Sequence, residues 1–298
     1  MLSDFQYPAE AMALGSAIVW AFSVIFFRIA GKSIHPLGLN LFKNLFASVC
    51  LALGMIILGQ PLLPKLAVSN YGLMILSGVF GIAISDTFFF WSLNLLGATL
   101  TGIVDCFYSP FLIGASLLFL GEKMSLFQFF GMLLIVSAVF SISQKKHERE
   151  IPRKDLVKGI TLGILAMFFM AVGIIMIKPF LAESPLLWAT LFRIIGGLVG
   201  LVPLLLVHPE RGAIFKSLSP SPAWRLIVPA AFLGSCIGLP LWMGGMKYTF
   251  VIVNVPLNQL NTVFIFILAA LFLKERVTVW RVLAVILALG GAFLASFP

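Results

Sequence analysis

The sequence predicts an all-α membrane protein of ten transmembrane helices, arranged as two inverted five-helix repeats, and three observations predict it. The first is composition. Of 298 residues, 61% are hydrophobic and 10% charged, against ~45–50% apolar and ~25% charged in soluble domains. A mean hydropathy of +1.10 exceeds what soluble cores can hide, because most of a soluble protein's surface faces water. The second is segmentation: charges, prolines and glycines cut the chain into ten apolar stretches, each near the ~20 residues that cross a ~30 Å hydrocarbon core. The third is an internal duplication that makes the second five segments a copy of the first.

The predicted helices run near 11 to 30, 37 to 59, 71 to 94, 98 to 120 and 125 to 143, then 157 to 177, 185 to 207, 224 to 246, 250 to 273 and 278 to 297. The first carries Asp4 and Glu10 upstream, with Arg28 and Lys32 after it. That is the reverse of a secretory signal and predicts a retained helix. The run from Tyr71 to Leu120 is divided only by Asn94 and Gly97, and the run from Trp224 to Leu273 only by Lys247 and Tyr248. About 50 residues of unbroken helix would span ~75 Å, so each run must fold back once. The domain reading is a first repeat over 11–143, a basic connection over 144–156 and a second repeat over 157–297. Connections are short, which places whatever the protein does within the bilayer. Cys50, Cys106 and Cys236 all fall inside apolar stretches and read as packing residues, not as a disulfide framework.

The 20 Lys and Arg residues outnumber 11 Asp and Glu. They are scattered singly between apolar runs, so orientation in a lipid bilayer explains them better than nucleic-acid binding. Fourteen lie at loops following odd-numbered segments, four (Lys65, Lys123, Lys178, Lys247) at the other loops, and two (Lys43, Arg193) inside helices. The richer side is the cytoplasmic one by the positive-inside rule, which puts both termini outside.

The duplication is visible in the chain itself. Phe119-Leu-Gly-Glu122-Lys123-Met-Ser125 recurs 153 residues later as Phe272-Leu-Lys-Glu275-Arg276-Val-Thr278. Leu41-Phe42-Lys43 recurs as Leu191-Phe192-Arg193, and Leu14-Gly15 as Leu162-Gly163. A five-helix unit is odd-numbered, so tandem copies sit in opposite orientations, an architecture common among alternating-access carriers. The stretch Tyr108-Ser-Pro110 through Gly121-Glu122-Lys123, with its second copy at Phe272 to Thr278, resembles the EamA-type members of the drug/metabolite transporter superfamily, and the resemblance spans 11 to 297. It implies a ten-helix exporter of small polar metabolites or amino acids in the inner membrane of a bacterium, and it implies both termini cytoplasmic, against the charge count. Val263 stands where the first copy has Pro110, and Lys274 where it has Gly121, so the helix breaks are expected to differ between halves.

Ionisable groups at hydrocarbon depth are costly and turn toward a bundle interior or a wet cavity. Lys43, Asp86 and Asp105 all lie ~10 Å below one face at ~1.5 Å per residue, while Arg193 and Asn258 enter from the other. Thr101, Asp105 and Tyr108 share a helical stripe, and their copies Asn254, Asn258 and Asn261 share another. Such stripes either bind cargo or glue helices by hydrogen bonds. The substrate-binding or coupling residues expected are Lys43, Asp86, Asp105, Tyr108, Arg193, Asn254, Asn258 and Asn261. Asp105 is the expected central carboxylate, with Lys43 as its partner and Asp86 a second acid nearby; the alternative is that Asp86 and Lys43 form a buried structural ion pair. Trp20, Trp91, Trp188, Trp224, Trp242 and Trp280 lie mostly near predicted helix ends, and an interfacial belt explains those; Glu122 and Glu275 read as capping or surface pairs.

Catalysis is disfavoured: His35, His147 and His208 lie at helix ends or loops, and no HExxH or Gly-x-Ser-x-Gly pattern occurs. No nucleotide-binding motif appears and no cofactor is expected. The reading is a secondary transporter working on a small-molecule solute, with protons as the candidate coupling ion. A channel-like facilitator or a non-transporting scaffold is the alternative. The charge asymmetry generates a direct test. A reporter active only in the cytoplasm should be silent when fused after Pro298 and active when inserted near Lys146; the reverse pattern would invert the assignment.

Overall fold

The computed structural model describes residues 8–120, 125–144, 151–248 and 251–294. Regular structure among them is helical: α1 (Pro8–Ala30), α2 (Pro36–Ile57), α3 (Val68–Gly78), α4 (Ser85–Leu96), α5 (Ala98–Asp105), α6 (Tyr108–Leu120), α7 (Leu126–Gln144), α8 (Arg153–Leu181), α9 (Leu186–Val207), α10 (Arg211–Ser217), α11 (Trp224–Ala231), α12 (Leu239–Tyr248), α13 (Val251–Gln259), α14 (Asn261–Phe272) and α15 (Val279–Leu294). π-helical turns join α3 to α4 (Val79–Ile84) and α11 to α12 (Phe232–Gly238). Among the described residues, seven helical runs are long and apolar enough to cross a membrane, and Leu126–Val139, Leu257–Phe272 and Val279–Leu294 are shorter apolar helices. The chain is an all-α, multi-pass integral membrane protein. The first acidic turn, Gly121-Glu122-Lys123, and residues 145–150 of the basic connection lie outside the described residues.

Local chemistry sets the helix ends. Pro36 opens α2, where a missing N–H costs nothing, and the His35 imidazole accepts from the Leu37 N–H at 3.2 Å. Gly97 alone separates α4 from α5, with φ of 85°. Only glycine takes that conformation freely, and this single residue makes the reversal that the sequence required between Tyr71 and Leu120. Lys274, in the place of Gly121, adopts φ of 55°, so the side chain is accommodated in a left-handed turn.

Four features depart from the sequence reading. The helix expected over 98 to 120 breaks at Cys106 and Phe107, because Pro110 has no N–H to give the Cys106 carbonyl. The helix expected over 250 to 273 breaks at Leu260, the counterpart of Phe107, although Val263 replaces the proline. The expected difference between the breaks is thus absent in position. Each long third helix of a half contains a π turn, at Gly81 and at its counterpart Gly234. The connection after Val207 contains the short helix α10.

The halves interleave. α1 lies along α11 and α12, α8 along α3 and α4, α2 beside α9, and α7 against α15. Backbones nearly touch where glycines remove the side chain: a Cβ on Gly78 would stand 2.0 Å from the Arg193 carbonyl, one on Gly196 2.2 Å from that of Ile75, and one on Gly291 2.7 Å from that of Gly131. Close approach of this kind is how helices associate in lipid, where no hydrophobic force distinguishes helix from solvent.

At the end of the bundle carrying the α1–α2 turn, the rings of His35 and His208 meet at 5.3 Å, and His35 also meets Trp91 at 6.1 Å. Each imidazole Nδ1 accepts a backbone N–H, from Leu37 and from Glu210. Burial, reinforced by His208, holds the pKa of His35 below the ordinary histidine value, against an opposing pull from Glu210. The neutral form is therefore the native one. Above pH ~6.5 the group costs nothing; as pH falls below that value the unfolded chain takes the proton first, and stability declines until the folded pKa is passed. The melting temperature in detergent should hold steady above neutrality and fall as pH drops from 7 toward 5. His35→Asn, a cap that does not titrate, should flatten that decline.

Candidate functional site

The π turn in the third helix frees backbone carbonyls, and α2 supplies the donor. Asn40 Nδ2 donates to Ile82 O at 2.9 Å, Ala83 O at 3.3 Å and Thr87 Oγ1 at 3.0 Å. Asn44 Nδ2 donates back to Asn40 Oδ1 at 2.7 Å and Asn40 O at 2.8 Å. On this scaffold Lys43 Nζ meets Asp86 Oδ2 at 2.7 Å, both residues buried, and donates to Asn44 Oδ1 at 3.3 Å. Lys43 is thus the partner of Asp86, and the expected Lys43–Asp105 pair is replaced by this one.

Asp105 ends α5 at the first break and accepts from Asn261 Nδ2, at the start of α14, at 3.2 Å. Next to it Thr262 Oγ1 donates to the Gly102 carbonyl at 2.9 Å, and Gln259 Nε2 donates to Ser109 Oγ at 3.3 Å. The two broken helices therefore face each other at their breaks. Eight residues of α5 rise ~12 Å at ~1.5 Å each, which sets the meeting point near the middle of the bundle.

Lys43, Asp86, Asp105, Gln259 and Asn261 border a cavity of about 110 Å³. Seven of the eight expected site residues line it: Lys43, Asp86, Asp105, Tyr108, Arg193, Asn258 and Asn261. Asn254 does not. It is buried against Gly245, whose added Cβ would stand 2.3 Å from its amide nitrogen. The sequence reading missed Gln259, Trp20 and Trp242, which also line the cavity. Trp242 lies under Arg193 with the guanidinium carbon 5.1 Å from its ring centroid, and Trp188 is fully buried. An interfacial belt therefore does not describe Trp20, Trp188 or Trp242; Trp224 and Trp280 remain exposed. Gln259 was discoverable, since it adjoins the polar stripe at Asn258.

Both ends of the bundle are tied by matching pairs of bonds. At one end Arg28 Nη1 donates to Asn94 O at 2.9 Å, and Asn94 Nδ2 donates to Gly31 O at 3.1 Å. At the other, Lys178 donates to Met246 O and Lys247 to Ser184 O. Arg28 and Lys178 are 150 residues apart, Asn94 and Lys247 are 153 apart, as are Gly31 and Ser184. The first end has a further tie: the Glu275 carboxylate accepts from Ala98 N at 2.8 Å and Thr99 N at 3.2 Å, with Arg281 at 3.9 Å. Glu275 thus caps a helix of the opposite half.

The model of the EamA-like transporter family matches residues 8–144 and, again, residues 157–297. A solved chain described as "Crystal structure of protein" superposes with a TM-score of 0.71 at 16% identity, over 98% of this chain and 97% of its own. That likeness shows the fold. A search of curated proteins finds no match by sequence.

The buried pair yields a stability test. Lys43→Met leaves Asp86 buried without its cation and should cost ~3–5 kcal/mol. Lys43→Met combined with Asp86→Leu should recover most of the loss, because an apolar pair avoids the desolvation cost. Denaturation of the purified variants in detergent measures both.

Proposed function

The chain belongs to the EamA-like transporter family, whose members are transporters and not enzymes, and from that premise we propose a secondary carrier with ten transmembrane helices in two inverted repeats, 11–143 and 157–297. It resides in the inner membrane of a bacterium and exports small polar metabolites or amino acids by alternating access. The observation that carries this reading is the cavity at the meeting of two interrupted helices. Carriers bind cargo near the midplane on discontinuous helices at the interface of their repeats, and here Asp105 ends one such helix while Asn261 begins the other. The π turns and the paired ties at the two ends, recurring at offsets of 150 to 153, support the two-fold relation. Both halves supply polar lining, which suits an occluding site better than a conduction ring.

Asp105 is the coupling carboxylate in this reading. It touches a neutral amide and, among the described residues, no cation within 4 Å, so its charge is free to be balanced by a proton in one state and by cargo in another. The 14-to-4 basic asymmetry sets the cytoplasmic side. In proteoliposomes carrying an internal pH dye, screened with amino acids and polar metabolites, one solute class should drive a saturable proton flux. Asp105→Asn should fold normally and lose that flux at least tenfold while retaining solute exchange. An unchanged rate and pH profile in the variant would overturn the coupling role.

A further inference from the structure

Arg193 is wholly buried, at 0% exposure, yet its guanidinium is almost without protein partners. Among the described residues Nε and Nη1 have no hydrogen-bond partner. Nη2 reaches only the Met170 sulfur, at 3.4 Å, a weak acceptor. Among the described residues no carboxylate approaches within 4 Å. An arginine keeps its charge at any pH the protein meets, and a buried charge left uncompensated is expensive.

The surroundings are nevertheless built around it. The guanidinium lies over Trp242, and a Cβ on Gly81 would stand 2.4 Å from Nη2, so the glycine of the π turn clears its place. Arg193 lines the central cavity together with Tyr108, whose buried hydroxyl also has no partner. Unsatisfied donors on two residues that line one small space call for an acceptor that the described residues do not supply.

Resting on the carrier reading above, we propose that Arg193 is the anion subsite of the cavity and that the cargo carries a carboxylate bound there, with Tyr108 as a second donor. Charge decides for a carboxylate over a phosphate. The Lys43–Asp86 pair is neutral by itself, which leaves Arg193 and Asp105; a singly charged carboxylate balances the arginine, whereas a phosphate dianion would add a surplus negative charge beside two acids. Size agrees, since at ~10–15 Å³ per water centre the cavity holds roughly seven to eleven waters, the room of a solute of about ten non-hydrogen atoms. Asp105, lining the same cavity, is placed to receive an amine at the other end of such a solute.

The test uses the purified full chain and matched sets of compounds: amino acids, their amides, their decarboxylated amines and their deaminated carboxylates, with inorganic phosphate as a further arm. Thermal shift and calorimetry should show binding confined to carboxylate-bearing members, with removal of the carboxylate abolishing it in the wild-type protein. Arg193→Gln should weaken that binding at least ~30-fold, and Arg193→Lys less. Without ligand, Arg193→Gln should melt no lower than wild type, because it removes an unpaired buried charge; a merely structural arginine would give the opposite shift. Binding only by amides, amines or phosphate, binding by no member, or wild-type carboxylate affinity in Arg193→Gln would each overturn the proposal. Flux of a carboxylate-free solute that persists in Arg193→Gln proteoliposomes would leave the carrier standing while the subsite fell. Carboxylate binding without flux of any solute would do the reverse.

Discussion

A backbone N–H or C=O inside the hydrocarbon must find a partner within the protein, since no water is there to serve. This constraint governs the molecule, because its helices are not continuous. Two π turns and two breaks release carbonyls and amides at mid-depth. Polar side chains from neighbouring helices meet carbonyls at or beside three of them: Asn40 to Ile82 and Ala83, Ser23 to the Ala230 carbonyl at 2.7 Å, Thr262 to Gly102. The polar centre of an otherwise apolar bundle is thus a consequence of interrupting the helices. Lys43 and Asp86 then find hydrogen-bonding company at a depth where either alone would be costly.

Once that network is closed, the groups left open separate from those that are satisfied. Asn254 and Trp188 also hold buried polar atoms without partners, but both are packed among side chains away from the cavity. Arg193, Tyr108 and Gln259 hold theirs at the cavity wall. The same deficit therefore has different meanings: a cost of packing in the first case, and in the second a cost that an arriving molecule removes. Binding sites are commonly less stable than the scaffold around them for this reason.

Most of this was legible in the sequence because charge in lipid is so conspicuous. Four ionisable residues inside apolar stretches identified the centre, and helical depth placed them at compatible levels. Pairing was less legible. Asp86 and Asp105 lie at similar depth, and only rotation about the helix axis, altered here by the π turn at Val79–Ile84, decides which of them meets Lys43. π turns leave no proline or charge as a signature, so the sequence left both pairings of Lys43 open. Tryptophans were harder to read: Trp242 stands near the end of its expected helix yet lies beneath Arg193 at the cavity, and Trp20, at the middle of α1, packs against Gly234. The break at Leu260 has no proline where Pro110 stands in the first copy, Pro256 lying earlier within α13, yet its position matches the duplication.

The ends of the bundle show what the duplication does for a moving structure. An arginine or lysine donates to a carbonyl at the end of a neighbouring helix, and a residue from that helix end donates back across the turn. Bonds from charged donors contribute ~1.5–3 kcal/mol each. That is enough to hold an end closed, and little enough for water to replace them when it opens. A carrier needs its two end states within a few kcal/mol of each other, so that cargo or a proton can shift the balance. In the carrier proposed above, matching ties at the two ends would give that near-equality without separate tuning. The Glu275 cap on α5 adds a bond to one end, and in the proposed alternating-access cycle it would favour the state in which that end is closed.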